Sequence, residues 1–266
     1  MTAPIAVAAT APFGADVLER LAATREIACL LTRPDAPAGR GRRLAAPPAK
    51  EVAERLGIPV VQPERLEPGL ELGAPTIVAV AYGRIVPERL LGERLWLNVH
   101  PSLLPRWRGA APVERALMAG DAETGVTVIR LVKELDAGPI AAQRAIPVEP
   151  DDDAGAIYAK AAPVAVELLD ECLEQPSFRP QPDERATYAE KISPEDRVLD
   201  LARPAGELVN RVRALSPHIG ARAELHGRVV TVWSARVAED GSFEPIEVQP
   251  EGGRRMEAAA WLRGLR

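Results

Sequence analysis

Residues 4–31 read PIAVAATAPFGADVLERLAATREIACLL, and this opening decides the fold class. PIAVAA (4–9) is a compact apolar run followed by Thr, Pro and Gly. Residues 15–23 then space their apolar positions along one face of a short helix, and 26–31 (EIACLL) return to an apolar run. Strand, helix and strand in this order form the repeating unit of a parallel α/β sheet. Strands buried on both faces lose the polar–apolar alternation, and TIVAVA (76–81) has that continuous apolar character. The expected class is therefore α/β with a mostly parallel sheet.

Working outward, 33–50 (RPDAPAGRGRRLAAPPAK) breaks the pattern. It holds four Pro, two Gly and five basic residues against a single acid, which reads as a long mobile loop. A helix resumes at 49–56. Residues 95–99 read as a strand entering a long loop, 113–118 as a helix, 124–132 as a period-two strand and 140–147 as its hairpin partner. The helical pattern of 154–174 closes a first domain. The proline-rich stretch 175–184 (QPSFRPQPDE) reads as a linker. A helix at 205–215 and short strands at 220–225 and 229–235 follow. The expected domains are 1–175 and 195–266, joined by 176–194.

A chain of 266 residues can bury a real core. With 47% hydrophobic and 27% charged residues it fits a soluble globular protein. The net charge of -5 offers nucleic acid no general attraction, so an RNA partner needs a local basic patch. Cys29 and Cys172 are far apart and have no CxxC partner, which predicts reduced packing thiols and no zinc site. No segment reaches the length of a membrane span, and the apolar start lacks a basic n-region. A cytoplasmic protein with no membrane contact is expected. Gly39 and Gly41 alone do not make a nucleotide-binding loop.

The richest stretch is 97–112, LNVHPSLLPRWRGAAP. A strand sends residues i and i+2 to the same side, so Asn98 and His100 project together at a strand's C-terminal end. Open α/β sheets place their ligands there. Acyl transfer to an amine builds an oxyanion and an ammonium. An Asn amide can donate to the first without carrying charge. A His can donate or relay a proton. Asp136, in KELDAGPI (133–140), is a loop carboxylate able to orient the His. An Asn at a strand end and an Asp in D-A-G are equally at home as turn formers. The residues alone leave that choice open.

Asn98-x-His100-Pro-Ser-Leu-Leu-Pro105, then RWRGAAP, then Asp136-x-Gly138, resembles the folate-dependent formyltransferases. Within that family, 102–112 and GDAETGVTV (120–128) resemble the branch acting on methionyl-initiator tRNA. RPDAPAGRGRRL (33–44), AYGRIVPE (81–88), TYAEKIS (187–193) and QPEGGRRM (249–256) match the same branch in the same order. The resemblance implies a Rossmann-like catalytic domain followed by a small OB-like barrel. It implies 10-formyltetrahydrofolate as formyl donor, no metal, and Asn98, His100 and Asp136 as catalytic trio. By the same carry-over Ser102, Leu103, Leu104 and Pro105 form a folate-binding loop, and Val80, Ala81, Tyr82 and Gly83 line the pterin pocket. Arg33, Arg40, Arg42, Arg43 and Lys50 become the expected tRNA contacts, meeting phosphates from the basic loop. Trp107 and Arg108 are expected near the methionine or the tRNA end. The transfer is expected to be direct, without a covalent enzyme intermediate, in a monomer.

The chain departs from the family at two places. Ala9-Thr10-Ala11 stands where a Gly-Thr-Pro turn is usual. The strand-rich middle of the second domain is missing, since 237–247 is too short to hold it. A small amine acceptor (a glycinamide ribonucleotide or an amino sugar), a formyl-folate hydrolase and an RNA-binding module on an inactive transferase fold remain alternatives. The basic loop and second domain favour tRNA over a small amine.

Overall fold

The computed structural model describes residues 3–38, 43–174 and 176–265. The elements run β1 (Ile5–Ala9), α1 (Pro12–Ala22), β2 (Ile27–Leu31), β3 (Ala36–Ala38), β4 (Arg43–Ala45), α2 (Pro48–Leu56), β5 (Val60–Val61), β6 (Thr76–Val80), α3 (Glu88–Leu91), β7 (Leu95–His100) and β8 (Arg108–Gly109). They continue with α4 (Pro112–Ala119), β9 (Glu123–Arg130), β10 (Ile140–Pro147), α5 (Ala154–Glu174), β11 (Tyr188–Ala189), α6 (Ala205–Leu215), β12 (Ala221–Leu225), β13 (Arg228–Val237), β14 (Phe243–Pro250), β15 (Met256–Glu257) and α7 (Ala258–Arg263).

The chain divides into two compact units that interleave along the sequence. One draws on Met1–Arg108, Gly125–Ala145 and Ala159–Ala186, the other on Gly109–Thr124, Ile146–Tyr158 and Thr187–Arg266. Residues 109–124 and 146–158 thus cluster with the C-terminal part, although they precede position 175.

The first unit is built on a seven-stranded sheet in the order β10-β9-β7-β6-β1-β2-β5. β5, β2, β1, β6 and β7 are parallel neighbours, and β9 runs antiparallel to β7. The mostly parallel α/β sheet expected from the sequence is what the chain forms. Ala6, Ala8, Cys29, Leu31, Ile77 and Ala79 pack on one face with Leu66, Leu72 and Trp96. Val7, Leu30, Val78 and Val80 are also buried, which is why these strands read as unbroken apolar runs. The chain passes from β1 to β2 and β5 on one side and returns to β6 and β7 on the other. The strand order therefore reverses between β1 and β6, and ligands of open α/β sheets bind outside the carboxyl ends of strands at such a point.

The altered turn after β1 is tied to the neighbouring strand end. The Thr10 hydroxyl donates to the Tyr82 carbonyl at 2.8 Å, and the Ala11 N–H donates to the Ala81 carbonyl at 3.3 Å. Pro12 opens α1 at a position whose N–H would be an orphan in any case. Gly14 lets this helix approach the sheet, because a Cβ there would collide with the Val80 carbonyl oxygen and lie 2.8 Å from the Ala9 Cβ.

Residues 33–50 are not one long loop. β3 and β4 pair antiparallel, Ala36 with Ala45 and Ala38 with Arg43, and α2 begins at Pro48. Pro37 lies inside β3, and β3 and β4 have three residues each, too short to show a period in sequence. Within 176–184, Arg179 and Ile140 exchange N–H···O bonds of 2.9 and 2.8 Å, tying this stretch to the start of β10.

The second unit carries a four-stranded antiparallel sheet, β12-β13-β14-β15. Its core joins Leu208, Val212 and Leu215 of α6 to Val230, Val232, Val248 and Trp261. Residues 238–242 make the turn of the β13–β14 hairpin and 243–247 already belong to β14, a strand the sequence did not reveal. Val113 and Leu117 of α4 pack with Ala214 of α6 and Ile157. Arg115 of α4 holds Asp196 through both carboxylate oxygens, at 2.9 and 2.8 Å. His218 is exposed, and His226 packs edge-on at 6.3 Å from the Trp261 ring, so both are surface or packing groups. Cys29 and Cys172 are free and buried, and burial pushes both thiols up to about 11.

Candidate functional site

β7 lies beside β6 and ends in Asn98-Val99-His100. Asn98 and His100 share one side of the strand, as period two requires. Asp136 reaches them from the turn after β9. Asn98 Nδ2 donates to Asp136 Oδ1 at 3.2 Å, and His100 Nδ1 lies 3.6 Å from Asp136 Oδ2. The His100 and Asp136 side chains retain 5% and 10% exposure, so their interaction is little screened by water. The structure thus brings all three expected residues together.

His100 Nε2 lies 2.8 Å from the Trp107 carbonyl oxygen. A carbonyl can only accept, so Nε2 carries a hydrogen, and the nitrogen of a neutral ring that can take a proton is Nδ1, on the Asp136 side. Asn98 has two N–H donors and spends one on Asp136. Asp136 adopts φ 47° and Trp107 φ 65°, left-handed conformations that an L-residue holds only when its surroundings impose them. The turn reading and the catalytic reading of Asp136 are compatible: it is a turn residue whose carboxylate points at His100.

The loop after β7 is held through its backbone. Ser102 and Leu104 are buried, with Leu104 packed against Ile129 and Ile140. Thr127 of β9 donates to the Ser102 carbonyl at 2.6 Å and accepts from the Leu104 N–H at 3.1 Å. Gln143 of β10 donates to the Leu104 carbonyl at 2.9 Å and to Thr127 Oγ1 at 2.8 Å. At the end of β6, Val80 and Tyr82 are buried while Ala81 and Gly83 are exposed. That edge offers backbone groups without bulky side chains, which suits the edge of a flat heterocycle.

The expected RNA-binding residues are only partly described. Arg33 and Arg43 are exposed, while Arg40 and Arg42 lie outside the described residues. Lys50 is differently engaged: its ammonium donates to both Asp35 oxygens, at 2.9 and 2.8 Å, at the foot of the β3–β4 hairpin. Arg108 is 4% exposed and points inward, donating to Gln181 and Asp183. It is not open to methionine or tRNA. Trp107 is half-buried beneath the Arg106 guanidinium, 4.4 Å from its ring centre. Sequence reasoning missed Thr127, Gln143 and Gln181, whose partners are remote in the chain. Among the described residues, no group of three or more His, Cys, Asp or Glu is arranged as a metal site, and no helix is long and apolar enough to cross a membrane.

Residues 4–173 match the family model described as Formyl transferase, and 191–245 match that of the Formyl transferase C-terminal domain. The chain belongs to the formyl transferase family. It is similar to the methionyl-tRNA formyltransferase of Halorhodospira halophila, 40% identical over 100% of this chain and 97% of that protein. It is also similar to the methionyl-tRNA formyltransferase of Paracoccus denitrificans, 37% identical over 96% of this chain and 95% of that one. The alignment to the first runs over 303 positions against 266 residues here, so at least 37 positions (303 less 266) have no residue of this chain. HypX from Aquifex aeolicus in complex with tetrahydrofolic acid shares the fold at TM-score 0.68 and 19% identity, over 98% of this chain and 47% of that one. An N-formyltransferase from Helicobacter canadensis does so at TM-score 0.67 and 16% identity, over 90% and 88%.

Proposed function

We propose that this formyltransferase moves the formyl group of 10-formyltetrahydrofolate onto the amino group of methionyl-initiator tRNA, giving the N-formylated tRNA that starts translation. The convergence of Asn98, His100 and Asp136 at the end of β7 is the observation that carries the chemistry. The near full-length similarity to methionyl-tRNA formyltransferases supports the acceptor.

The amine attacks the formyl carbon directly to give a tetrahedral intermediate, whose collapse breaks the bond from that carbon to the folate nitrogen. Tetrahydrofolate leaves with a proton on that nitrogen in place of the formyl group, balancing the proton lost by the amine. Asn98, with one N–H anchored on Asp136, turns its second N–H to the developing oxyanion. Removing one such donor costs roughly 10²–10³ in rate. His100, held by the Trp107 carbonyl, takes the proton leaving the amine at Nδ1. The imidazolium is then stabilised beside Asp136 and adds its charge to oxyanion stabilisation. The backbone of 80–83 and 102–105 holds the folate. Arg33, Arg40, Arg42 and Arg43 meet tRNA phosphates, and Lys50 holds Asp35 just before β3. Residues 1–175 act as the catalytic domain, 176–194 as the connection and 195–266 as a shortened tRNA-binding domain. The separate family matches at 4–173 and 191–245 support that division. The enzyme works as a monomer in the cytoplasm, where translation starts.

An acceptor assay tests this reading. Purified protein with 10-formyltetrahydrofolate should formylate methionyl-initiator tRNA and leave glycinamide ribonucleotide and amino sugars unformylated. Formylation of a small amine in preference to the tRNA would overturn the acceptor assignment. Release of formate at the full rate without any amine would point to a hydrolase.

A further inference from the structure

Gln181 lies in the proline-rich stretch that follows α5, yet its side chain is placed under the turn that carries Asp136. Its Nε2 donates to the Asp136 carbonyl at 2.8 Å and to the Gly138 carbonyl at 2.7 Å. Its Oε1 accepts from Arg108 Nε at 3.1 Å and Nη2 at 2.9 Å. Both amide hydrogens and both oxygen lone pairs are therefore used. Arg108, 4% exposed, also donates to Asp183 at 2.8 Å. Gly138 is closely confined on its other side, since a Cβ there would collide with the Arg130 carbonyl oxygen. The Asp136 turn is thus clamped between β9 and the Gln181 amide.

The same amide reaches the other arm of the site. Arg108 directly follows Trp107, whose carbonyl meets His100 Nε2. Trp107 and Asp136 face the two nitrogens of His100, and both adopt left-handed backbone conformations. Such conformations persist only where the surrounding structure over-determines them. The Arg108–Gln181 pair is one bonded link between these two segments.

We infer that Gln181, with Arg108, is a positioning residue for formyl transfer: a brace that sets the Asp136 carboxylate and the Trp107 carbonyl against the two nitrogens of His100. This inference rests on the catalytic reading of the trio. Gln181 touches no reacting atom: it acts chiefly through the Asp136 turn that it bonds directly, and to a lesser extent through Arg108 on the Trp107 carbonyl.

Single-turnover formyl transfer tests it, with Gln181→Met, Asp136→Ala, the double variant and His100→Ala measured side by side. Gln181→Met keeps the length of the side chain and removes its four hydrogen bonds. The rate should fall about tenfold or more, as misplacement of catalytic groups by an ångström or less can cause. KM for the folate and for the tRNA should stay within about twofold, and the pH–rate profile should shift. In the Asp136→Ala background the same change should cost less than about threefold, because residues acting as a unit are non-additive. Equal losses in both backgrounds, or a wild-type rate and pH profile, would overturn the brace. A near-wild-type His100→Ala enzyme would instead sink the trio on which it rests. Should Gln181→Met fail to fold, as judged by circular dichroism, Gln181→Glu is compared in the same way. It keeps an acceptor for Arg108 and loses both donors, and the same rate, KM and cycle criteria decide.

Discussion

Thr127 donates its hydroxyl to the Ser102 carbonyl at 2.6 Å, so a strand residue fixes the backbone of the loop that follows β7. The same oxygen accepts from Leu104 N–H and Gln143 Nε2, leaving none of its hydrogen-bonding capacity idle. Thr127→Val keeps the shape and strips the Ser102 carbonyl and the Leu104 N–H of this partner. Each buried polar group left unsatisfied costs about 1–3 kcal/mol. The variant should melt several degrees lower and show a several-fold higher KM for 10-formyltetrahydrofolate. An unchanged folate KM would mean that this loop does not hold the donor.

Gly14 concerns stability more than chemistry. Gly14→Ala drives a methyl group into the Val80 carbonyl and the Ala9 Cβ, where the helix and sheet backbones cannot easily part. Overpacking of this kind costs about 1–3 kcal/mol. Calorimetry should show a lower melting temperature for Gly14→Ala, and a melting temperature equal to wild type would contradict the packing argument.

The basic segment 33–50 should act on tRNA and on salt. Arg42→Ala combined with Arg43→Ala should raise the KM for tRNA. The slope of log affinity against log salt should become shallower by about one for each phosphate that is no longer neutralised. The KM for the folate should not change. A double variant with the wild-type tRNA KM and salt slope would remove this basic segment from the RNA interface.

Acid stability should depend on Asp196. Its hydrogen bonds from the Arg115 guanidinium hold its carboxyl down at about 2, below the ordinary 3.8. A depressed folded-state value contributes stability that is fully present above about pH 4 and is lost as pH falls towards 2. The contribution is on the order of 2 kcal/mol. In urea melts, Asp196→Asn should destabilise the protein at neutral pH and flatten its stability between pH 4 and 2. Parallel acid profiles for wild type and variant would show that this pair is not a source of the acid sensitivity.

The sequence made the parallel sheet legible because β1, β2 and β6 are buried on both faces and read as unbroken apolar runs. Asn98 and His100 were paired by strand period alone. Asp136 came through family resemblance, since nothing local shows that a D-A-G turn after β9 faces the end of β7. Gln181 and Thr127 were invisible for a related reason. Each is a polar residue with no motif of its own, and its meaning lies in a carbonyl 25 or more positions away. The β3–β4 hairpin was hidden by its Pro and Gly, which outweigh strands of three residues. Lys50 and Arg108 looked like free cations because sequence shows charge and not the acid or amide that takes it up.

The central claim is that Asn98, His100 and Asp136 carry the transfer to methionyl-initiator tRNA. The direct measurement is the single-turnover rate of formyl transfer to that tRNA by Asn98→Ala, His100→Ala and Asp136→Ala, with folding checked by circular dichroism. Each should retain the wild-type fold and lose at least about 10²-fold in rate. A folded His100→Ala enzyme that formylates methionyl-tRNA at close to the wild-type rate would contradict the account.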